Sequence, residues 1–450
     1  MSSHLHRNKL AAIIFFLLLT IGLEGFPQQI LWTKLYQLPK ADDIRFITQD
    51  QEGNMYAGGR TDRNTLGPPG AYEPSILYKL TPDGDTLYSK YLGYYGYAQT
   101  AICDFNGNLK IGITQQGPGL TGGYTILLQM TPDGFIFKRD SVQKRLSIRS
   151  SMVGKDSSWI LVGTKINEFN GNWLDGFFLR VQKDGTIDSY VTLNPNHPDC
   201  GADRVEQLPN GKYLVSGHVG SRIAAYTLDP DGSNVQYEQW YQTPDLSFLY
   251  SGHVSRINSQ RYMIAAEGGP SVVGQCDSLL NKYWLKKEVG TQIPPQAMTD
   301  GSVVFGYSKG FPPYQVFYRV GVDSSYIWNM PIRDSLVTRG YWGNLRLKCF
   351  TYFEDESAVV AGYYNDGNAT TAEDPFFIKI SNVGTPVTSL SKPKRGPLKN
   401  ETLAPWPNPT GGTLYLKQHF DMAEVRLYNL AGREVGQYNI HFGQPIDVSA

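Results

Sequence analysis

ILYKLTPDGDTLYSKYLG, residues 76–93, joins two short β-type runs through Pro82-Asp83-Gly84. Asp can accept hydrogen bonds from the turn backbone, and Gly adopts the positive φ that closes a tight turn, so the stretch predicts a β-hairpin. The hairpin recurs along the chain. Copies start at Ile126, Phe177 and Ala224, and weaker copies contain Asp277-Ser278, Asp323-Ser324 and Val383-Gly384. The turn glycines of the first four copies are Gly84, Gly134, Gly185 and Gly232.

A second type of hairpin alternates with the first at the same period. Its first copy is ITQDQEGNMYAGG (Ile47–Gly59), and its last copy is YFEDESAVVAG (Tyr352–Gly362). Each copy is a strand, a polar turn and an apolar strand that ends at a small residue. Two hairpins give four strands per repeat, and a repeat of roughly 40–55 residues with four strands is typical of a propeller blade. The sequence therefore predicts an all-β fold, a seven-bladed β-propeller. We expect the apolar strand with its small residue to lie toward the central axis.

The ring is expected to close through the N-terminal strand. ILWTKLYQL, Ile30–Leu38, is similar to the strand that follows the turn in other repeats, yet it precedes the first full unit. Pairing of this strand near Phe376–Ser381 would complete the seventh blade and cover its exposed edge. An open solenoid is the alternative.

Two of the repeats carry a family pattern. Asp43 through Gly59 and Lys79 through Tyr91 resemble the units of secreted bacterial β-propellers, in which a D-x-x-G-N hairpin precedes a K-L-x-x-D-G element. The resemblance covers about Ile30–Leu390. It implies the propeller fold, and since similar blades occur in propellers of unrelated function, it implies no particular ligand.

The two ends of the chain have a different composition. Residues 1–25 combine a basic start with the apolar run Leu10–Leu23, which is typical of a secretory signal peptide cleaved near Gly25. The propeller is expected over residues 26–390. Residues 391–404 are rich in Lys, Pro and Gly, which favours a solvated linker.

The last segment, residues 405–450, contains the most specific motif. PWPNPTGG is followed by AEVRLYNLAGREV and PIDVS, and this series resembles the C-terminal sorting domain of proteins exported by the type IX secretion system. The residues that match the family's motif are Trp406, Pro407, Asn408, Pro409, Gly432 and Arg433. The resemblance implies a small β-sandwich, the type IX machinery as partner, and passage through the periplasm to the outer surface or the medium. The family continues with a further strand after I-D-V-S, so we expect this sandwich to be incomplete at Ala450.

Composition argues against several classes of partner. Lys plus Arg and Asp plus Glu both number 41, so the basic excess used to bind nucleic acid or anionic membranes is missing. No apolar run after the signal approaches a membrane span. The four cysteines, at 103, 200, 276 and 349, could form disulfides in an exported protein or remain buried thiols. Their wide spacing is unlike a zinc site, and we expect neither a metal nor a cofactor.

Local motifs for chemistry are few, and we expect no catalytic residue among them. Gly306-Tyr307-Ser308-Lys309-Gly310 has the serine-hydrolase spacing, but Pro312-Pro313 disfavours the required helix, so we interpret it as a turn. His218 and His253 both stand in Ser-Gly-His-Val and could face one pocket as acid, base or metal ligand, although a structural position in which each caps or follows a strand of its own blade is favoured. Aromatic residues next to strand ends could stack on sugars or fill the space between blades. The candidates are Tyr95, Trp173 and Tyr363.

These observations favour an exported, non-catalytic propeller that binds a glycan or a protein through one mouth of the ring. The alternative is a propeller hydrolase or lyase acting on polysaccharide, with carboxylates contributed by separate blades.

Overall fold

The fold is described from a computed structural model. It describes residues 29–36, 42–61, 74–104, 106–115, 124–166, 173–193, 200–220, 222–242, 249–258, 261–268, 271–276, 282–288, 291–309, 314–332, 344–353, 355–365, 374–384, 413–414, 423–428, 434–440 and 446–447. The chain divides into two compact units, Met1–Leu390 and Ser391–Ala450. In the described part all regular structure is β.

The first unit is a seven-bladed β-propeller, as the repeat predicted. Blade 1 contains β2 (Asp42–Gln49), β3 (Met55–Thr61), β4 (Pro74–Leu80) and the first part of β5 (Thr86–Cys103). Blade 2 contains the rest of β5, β6 (Leu109–Gln115), β7 (Thr125–Met130) and β8 (Ile136–Val142). Blade 3 contains β9 (Leu146–Val153), β10 (Trp159–Ile166), β11 (Trp173–Val181) and β12 (Ile187–Leu193).

Blades 4 to 6 repeat this order. Blade 4 contains β13 (Cys200–Gln207), β14 (Tyr213–Val219), β15 (Arg222–Leu228) and β16 (Gln236–Gln242). Blade 5 contains β17 (Leu249–Arg256), β18 (Tyr262–Gly268), β19 (Ser271–Cys276) and β20 (Lys282–Glu288). Blade 6 contains β21 (Thr291–Ala297), β22 (Val303–Lys309), β23 (Tyr314–Val320) and β24 (Tyr326–Ile332).

Blade 7 closes the ring with strands from both ends of the unit. It contains β25 (Asn344–Tyr352), β26 (Ala358–Asn365), β27 (Asp374–Ile380) and, as its fourth strand, β1 (Ile30–Leu35). β1 runs antiparallel to β27, from Ile30 opposite Ile380 to Leu35 opposite Phe376. The predicted closure is therefore confirmed, with a β1 that ends three residues before the predicted Leu38.

Blades 1 and 2 share one strand. β5 is 18 residues long and forms the outer strand of blade 1 and then the inner strand of blade 2, so that the two blades make one seven-stranded sheet. The change of blade falls at Gly93 and Gly96, whose φ angles are +76° and +141°. A Cβ at Gly96 would lie 2.2 Å from the carbonyl oxygen of Thr114, so only glycine fits there.

Apolar side chains fill the space between the blades. Seven clusters of buried hydrophobic residues are described, one for each pair of neighbouring blades around the ring. The second strand of a blade faces a neighbour on both sides, and all seven residues of β14 are buried. This two-sided burial explains why second strands are continuous apolar runs instead of alternating ones.

The strand nearest the axis is the first strand of each blade, and not the apolar second strand that we expected there. The first strands of neighbouring blades contact one another around the whole ring. The small residue of the second strand has a different cause, because it lies opposite a β-bulge in the first strand. A Cβ at Gly59 would be 1.7 Å from the carbonyl oxygen of Asp43, and one at Gly217 would be 1.8 Å from that of Gly201.

The turns of the outer hairpins have the predicted chemistry. Asp184 accepts a hydrogen bond from the backbone N–H of Thr186 at 2.8 Å, and Gly185 has a φ of +90°. Where Ser324 replaces the glycine, the turn persists with a φ of +68°, in the left-handed region that costs an L-residue free energy. The turn containing Asp277-Ser278 lies outside the described residues.

The second unit contributes two antiparallel pairs of strands. β28 (Thr413–Leu414) pairs with β31 (Ile446–Asp447), and β29 (Ala423–Tyr428) pairs with β30 (Glu434–Ile440). The two pairs are separate two-stranded sheets, and the small β-sandwich stays a prediction. The signal segment 1–25, the linker 391–404 and all six sorting-motif residues lie outside the described residues.

Candidate functional site

A ring of β-bulges surrounds one mouth of the central channel. In every first strand the register with the second strand shifts by one residue close to the strand's beginning. The extra residues are Arg45, Gln99, Arg149, Asp203, Tyr250, Gln292 and Lys348, and we call this set the bulge ring. Bulges turn side chains away from the regular alternation and are frequent at functional sites. The first strands all begin at this end, which we call the bulge mouth.

Two arginines and a tyrosine form a cluster at the bulge mouth between blades 1 and 2. Arg45 Nη2 lies 2.5 Å from Asp43 Oδ2, and Arg60 Nε lies 3.9 Å from the same oxygen. Arg60 Nη1 also donates to the hydroxyl of Tyr97 at 2.6 Å. The guanidinium carbons of Arg45 and Arg60 lie 5.2 and 4.6 Å from the centre of the Tyr97 ring, within cation–π range.

Lys348 brings a third cation to this cluster from blade 7. Its ammonium lies 5.4 Å from the ring centre of Tyr363. Tyr363 is 6% exposed and packs against Lys348. Its ring therefore offers little surface on which a sugar could stack. The neighbouring Cys349 thiol interacts with both sides of the junction: burial raises its pKa, the Asp43 carboxylate raises it further, and Lys348 and Arg45 oppose this rise. Two cations, Arg45 and Arg60, thus lie against the carboxylate of Asp43, and Lys348 lies on the blade 7 side of the same junction.

The two histidines converge on a buried aspartate between blades 4 and 5. His218 lies within β14 and His253 within β17, so neither caps or follows its strand as we had favoured. His218 Nδ1 lies 3.1 Å from Asp203 Oδ2, which also accepts the backbone N–H of Gly252 at 2.8 Å. Asp203 therefore connects two blades at the level of the bulge ring.

Burial and charge shift the pKa values in this histidine cluster in known directions. Burial lowers the pKa of His253 to about 4, with Asp203 opposing the shift and the nearby arginines Arg204 and Arg149 adding to it. The pKa of Asp203 is lowered, because the charge and hydrogen bond of His218 together with Arg149 outweigh burial. Asp203 is thus held as a carboxylate at neutral pH while His253 stays neutral.

An arginine crosses the channel below the bulge ring. Arg204 of blade 4 donates to the carbonyl oxygen of Pro295 at 2.9 Å and to Oε1 of Gln296 at 2.7 Å, both in blade 6. Next to it, Glu206 accepts the backbone N–H of Arg256 at 2.8 Å. Burial raises the pKa of Glu206 and lowers that of Arg204. The Arg204 side chain thus connects blade 4 to blade 6 through polar contacts at this level.

The other predicted residues lie as follows. Tyr95 and Trp173 are in β5 and β11, and their side chains are outside the described part. Ser308 lies inside β22 opposite Gln315, so the hydrolase-like motif is neither an elbow nor the turn that we expected.

The four cysteines, all described, form no disulfide with one another. Within the described residues no group of His, Cys, Asp and Glu has a metal-binding arrangement.

Sequence reasoning missed Arg45, Arg60, Arg204 and Lys348. A charged residue near the start of the first strand in blades 1, 3, 4 and 7 is the signal that could have found the charged bulge-ring members, but the shift in register is visible only once the strands are paired. The described residues include no helix long and apolar enough to cross a membrane.

Comparisons with known proteins give a likeness of fold. No family model and no curated protein matches the chain. Among solved structures, a protein of unknown function from Bacteroides caccae is 9% identical, with 57% of this chain and 89% of that chain covered and a TM-score of 0.38. Sqt1 from Chaetomium thermophilum is 10% identical, with coverages of 74% and 84% and a TM-score of 0.46.

A third structure is a subtype N10 neuraminidase-like protein of A/little yellow-shouldered bat/Guatemala. It is 12% identical, with 79% of this chain and 100% of that chain covered and a TM-score of 0.42. At these identities and scores the three likenesses concern the fold alone.

Proposed function

We propose that the protein is an exported, non-catalytic binding module that takes a glycan or a protein at the bulge mouth of its propeller. One observation carries the proposal: the bulge ring places charged residues at this mouth in several blades, and Arg45 and Arg149 among them are exposed. The opposite end of the ring is made of tight turns whose polar groups are occupied by the turn backbone, as at Asp104, which accepts the N–H groups of Asn106 and Asn108.

A substitution that blocks the bulge mouth can test whether the ligand binds there, even though the ligand is not known. The labelled full-length protein is applied to an array of glycans and extracellular proteins, beside the variants Gln99→Trp and Glu52→Trp. Gln99 is an uncharged, half-exposed member of the bulge ring, whereas Glu52 lies in an exposed turn at the opposite end. We expect Gln99→Trp to weaken every specific signal by about tenfold, because the indole would fill the mouth that the ligand needs.

Glu52→Trp should bind as the wild type does, and thermal unfolding of both variants shows that they fold. An array on which the wild type gives no signal above background would refute the binding function. Equal binding by Gln99→Trp would refute the mouth as its place.

A hydrolase or lyase acting on polysaccharide is the second candidate, and Glu206 is the observation that favours it. A carboxyl group with a raised pKa is suited to act as a general acid. However, Glu206 lies beside the crossing Arg204 and already accepts a hydrogen bond from the backbone of Arg256. Shortened chains released from array-positive polysaccharides by the wild type, and not by Glu206→Gln, would favour the enzyme.

Export through the type IX system is the second half of the proposal, supported by the sequence motifs of residues 1–25 and 405–450. In a bacterium with this system, we expect the full chain to reach the outer surface or the medium. A chain that ends at residue 404 should accumulate in the periplasm instead. Fractionation of the cells measures both, and equal export of the shortened chain would contradict the sorting role.

A further inference from the structure

We propose that the ligand is an acidic polysaccharide, whose carboxylate or sulfate groups are bound by Arg45, Arg60 and Lys348 at the junction of blades 7, 1 and 2. This inference rests on the proposed binding function and gives it a chemical class.

Charge is distributed unevenly around the bulge ring, although the whole chain has none in excess. Five of its members have described side chains, and three of these, Arg45, Arg149 and Lys348, are cations. The fourth is the uncharged Gln99. The fifth, Asp203, is 5% exposed and points its charge at His218 and the backbone of Gly252. Among these five described members, the charge that is exposed to a ligand is therefore positive.

The cations at the blade 7–1–2 junction are held in place before any ligand arrives. Arg60 is fixed by the Tyr97 hydroxyl and ring, and Arg45 by Asp43 and the same ring. Asp43 is buried with a side chain 5% exposed, while the side chain of Arg45 is 35% exposed. The carboxylate thus orients the guanidinium from within, and the outer N–H groups remain available. A guanidinium has five donors in a planar fork, which suits the two oxygens of a carboxylate or sulfate.

Lys348 and Arg45 occupy the same bulge position on adjacent first strands, and Arg149 repeats it two blades further on. A ligand lying across the mouth would meet several cations in succession. A polysaccharide of uronic or sulfated sugars carries an anion on most of its units and can match such a series. A ligand with a single charge would use only one of these positions.

The polarity of the mouth favours a polysaccharide over a protein partner. Protein interfaces depend on apolar and aromatic side chains that become buried in the centre of the contact. In the described part of the propeller, the exposed large hydrophobic residues lie on outer strands and loops, such as Leu87, Phe137 and Tyr326, and none on a first or second strand. The exposed or half-exposed bulge-ring side chains that the structure describes are instead charged or amide groups, Arg45, Gln99, Arg149 and Lys348, which suit a hydroxyl-rich polymer.

The test measures binding of the full-length protein to defined polymers by titration calorimetry. The probes are polygalacturonate, dextran sulfate, neutral dextran and poly-glutamate. The variant is Arg45→Gln/Lys348→Gln. Its matched control is Arg261→Gln/Lys286→Gln, which removes the same charges from cations that also lie over tyrosine rings, at 4.4 and 3.8 Å, but at the far end and on an outer strand.

We expect the wild type to bind polygalacturonate or dextran sulfate, and the mouth variant to bind at least about tenfold more weakly, since charge-assisted hydrogen bonds are lost. The dependence of its affinity on salt should also become shallower. The control should stay within about twofold of the wild type. Neutral dextran should not bind.

Three results would overturn the inference: equal affinity of wild type and mouth variant, binding of neutral dextran as tight as of the acidic polymers, or preference for poly-glutamate, which would make the partner an acidic peptide. In each case a Gln99→Trp effect on the array would still support the binding function. An array without signal would remove the function itself.

Discussion

Replacing Asp203 by Ala is expected to lower the free energy of unfolding by about 3–5 kcal/mol, the usual cost of breaking a buried ion pair. The carboxylate accepts from the backbone of Gly252 and pairs with His218, so it connects blade 4 to blade 5 from a position 5% exposed. Without it, the Gly252 N–H and the imidazole both lose their acceptor in a place that water reaches poorly. The charge of Arg149 also loses its nearby opposite charge.

Urea unfolding followed by tryptophan fluorescence measures this loss as a shift of the midpoint. Asp231→Ala is the control, because Asp231 is an exposed turn residue that accepts one backbone N–H, from Ser233 at 2.9 Å. We expect that change to cost about 1 kcal/mol. Similar midpoints for the two variants would show that Asp203 contributes no more than an ordinary turn residue.

The blade count and the closure of the ring could be predicted because both depend on local patterns repeated many times. Each copy of the hairpin carries its own turn residues, and Asp184-Gly185 behaves as those residues require. The closing strand β1 was recognisable since its sequence matches a fourth strand but stands before the first blade. In a closed ring, a strand that precedes the first blade can pair with the outer edge of the last blade, as β1 does with β27.

The bulges could not be predicted, because a register shift depends on which residues face each other across two strands. The recurring small residue was visible in the sequence, but its cause was assigned wrongly to crowding at the axis. Gly217 is required by the Gly201 carbonyl oxygen that the bulge brings to 1.8 Å from where its Cβ would be. Similarly, the sequence of β5 contains the end of one repeat and the start of the next. No local sequence pattern shows that the backbone continues as one strand.

The positions of side chains in the candidate site also could not be predicted from the repeat pattern. His218 and His253 stand in identical tetrapeptides, which suggested equivalent places in two blades. They are in fact in a second strand and a first strand of adjacent blades, because the register of the tetrapeptide against the repeat differs. Arg204 reaches from blade 4 to blade 6, a contact between residues 91 positions apart that no repeat pattern contains.

Acidification is expected to destabilise the propeller through His253, by about 3 kcal/mol between pH 7 and pH 4. The unfolded chain binds a proton at this residue below its ordinary pKa of about 6.5, whereas burial keeps the folded imidazole neutral down to about pH 4. Between these values the unfolded state binds more protons, so stability falls as the pH falls. The groups that act on His253 are Asp203, which favours its protonation, and Arg204, Arg149 and His218, which oppose it.

The pH window separates this effect from that of Asp203. The lowered pKa of Asp203 contributes stability that is lost only below about pH 4, where carboxylates of the unfolded chain become protonated. Urea unfolding of the wild type and His253→Gln between pH 7 and pH 4.5 therefore measures the contribution of the histidine, since the two proteins differ in this one titratable group. We expect a shallower loss of stability in the variant, because glutamine takes up no proton. Parallel curves would mean that His253 is protonated in the folded protein as readily as in the unfolded chain.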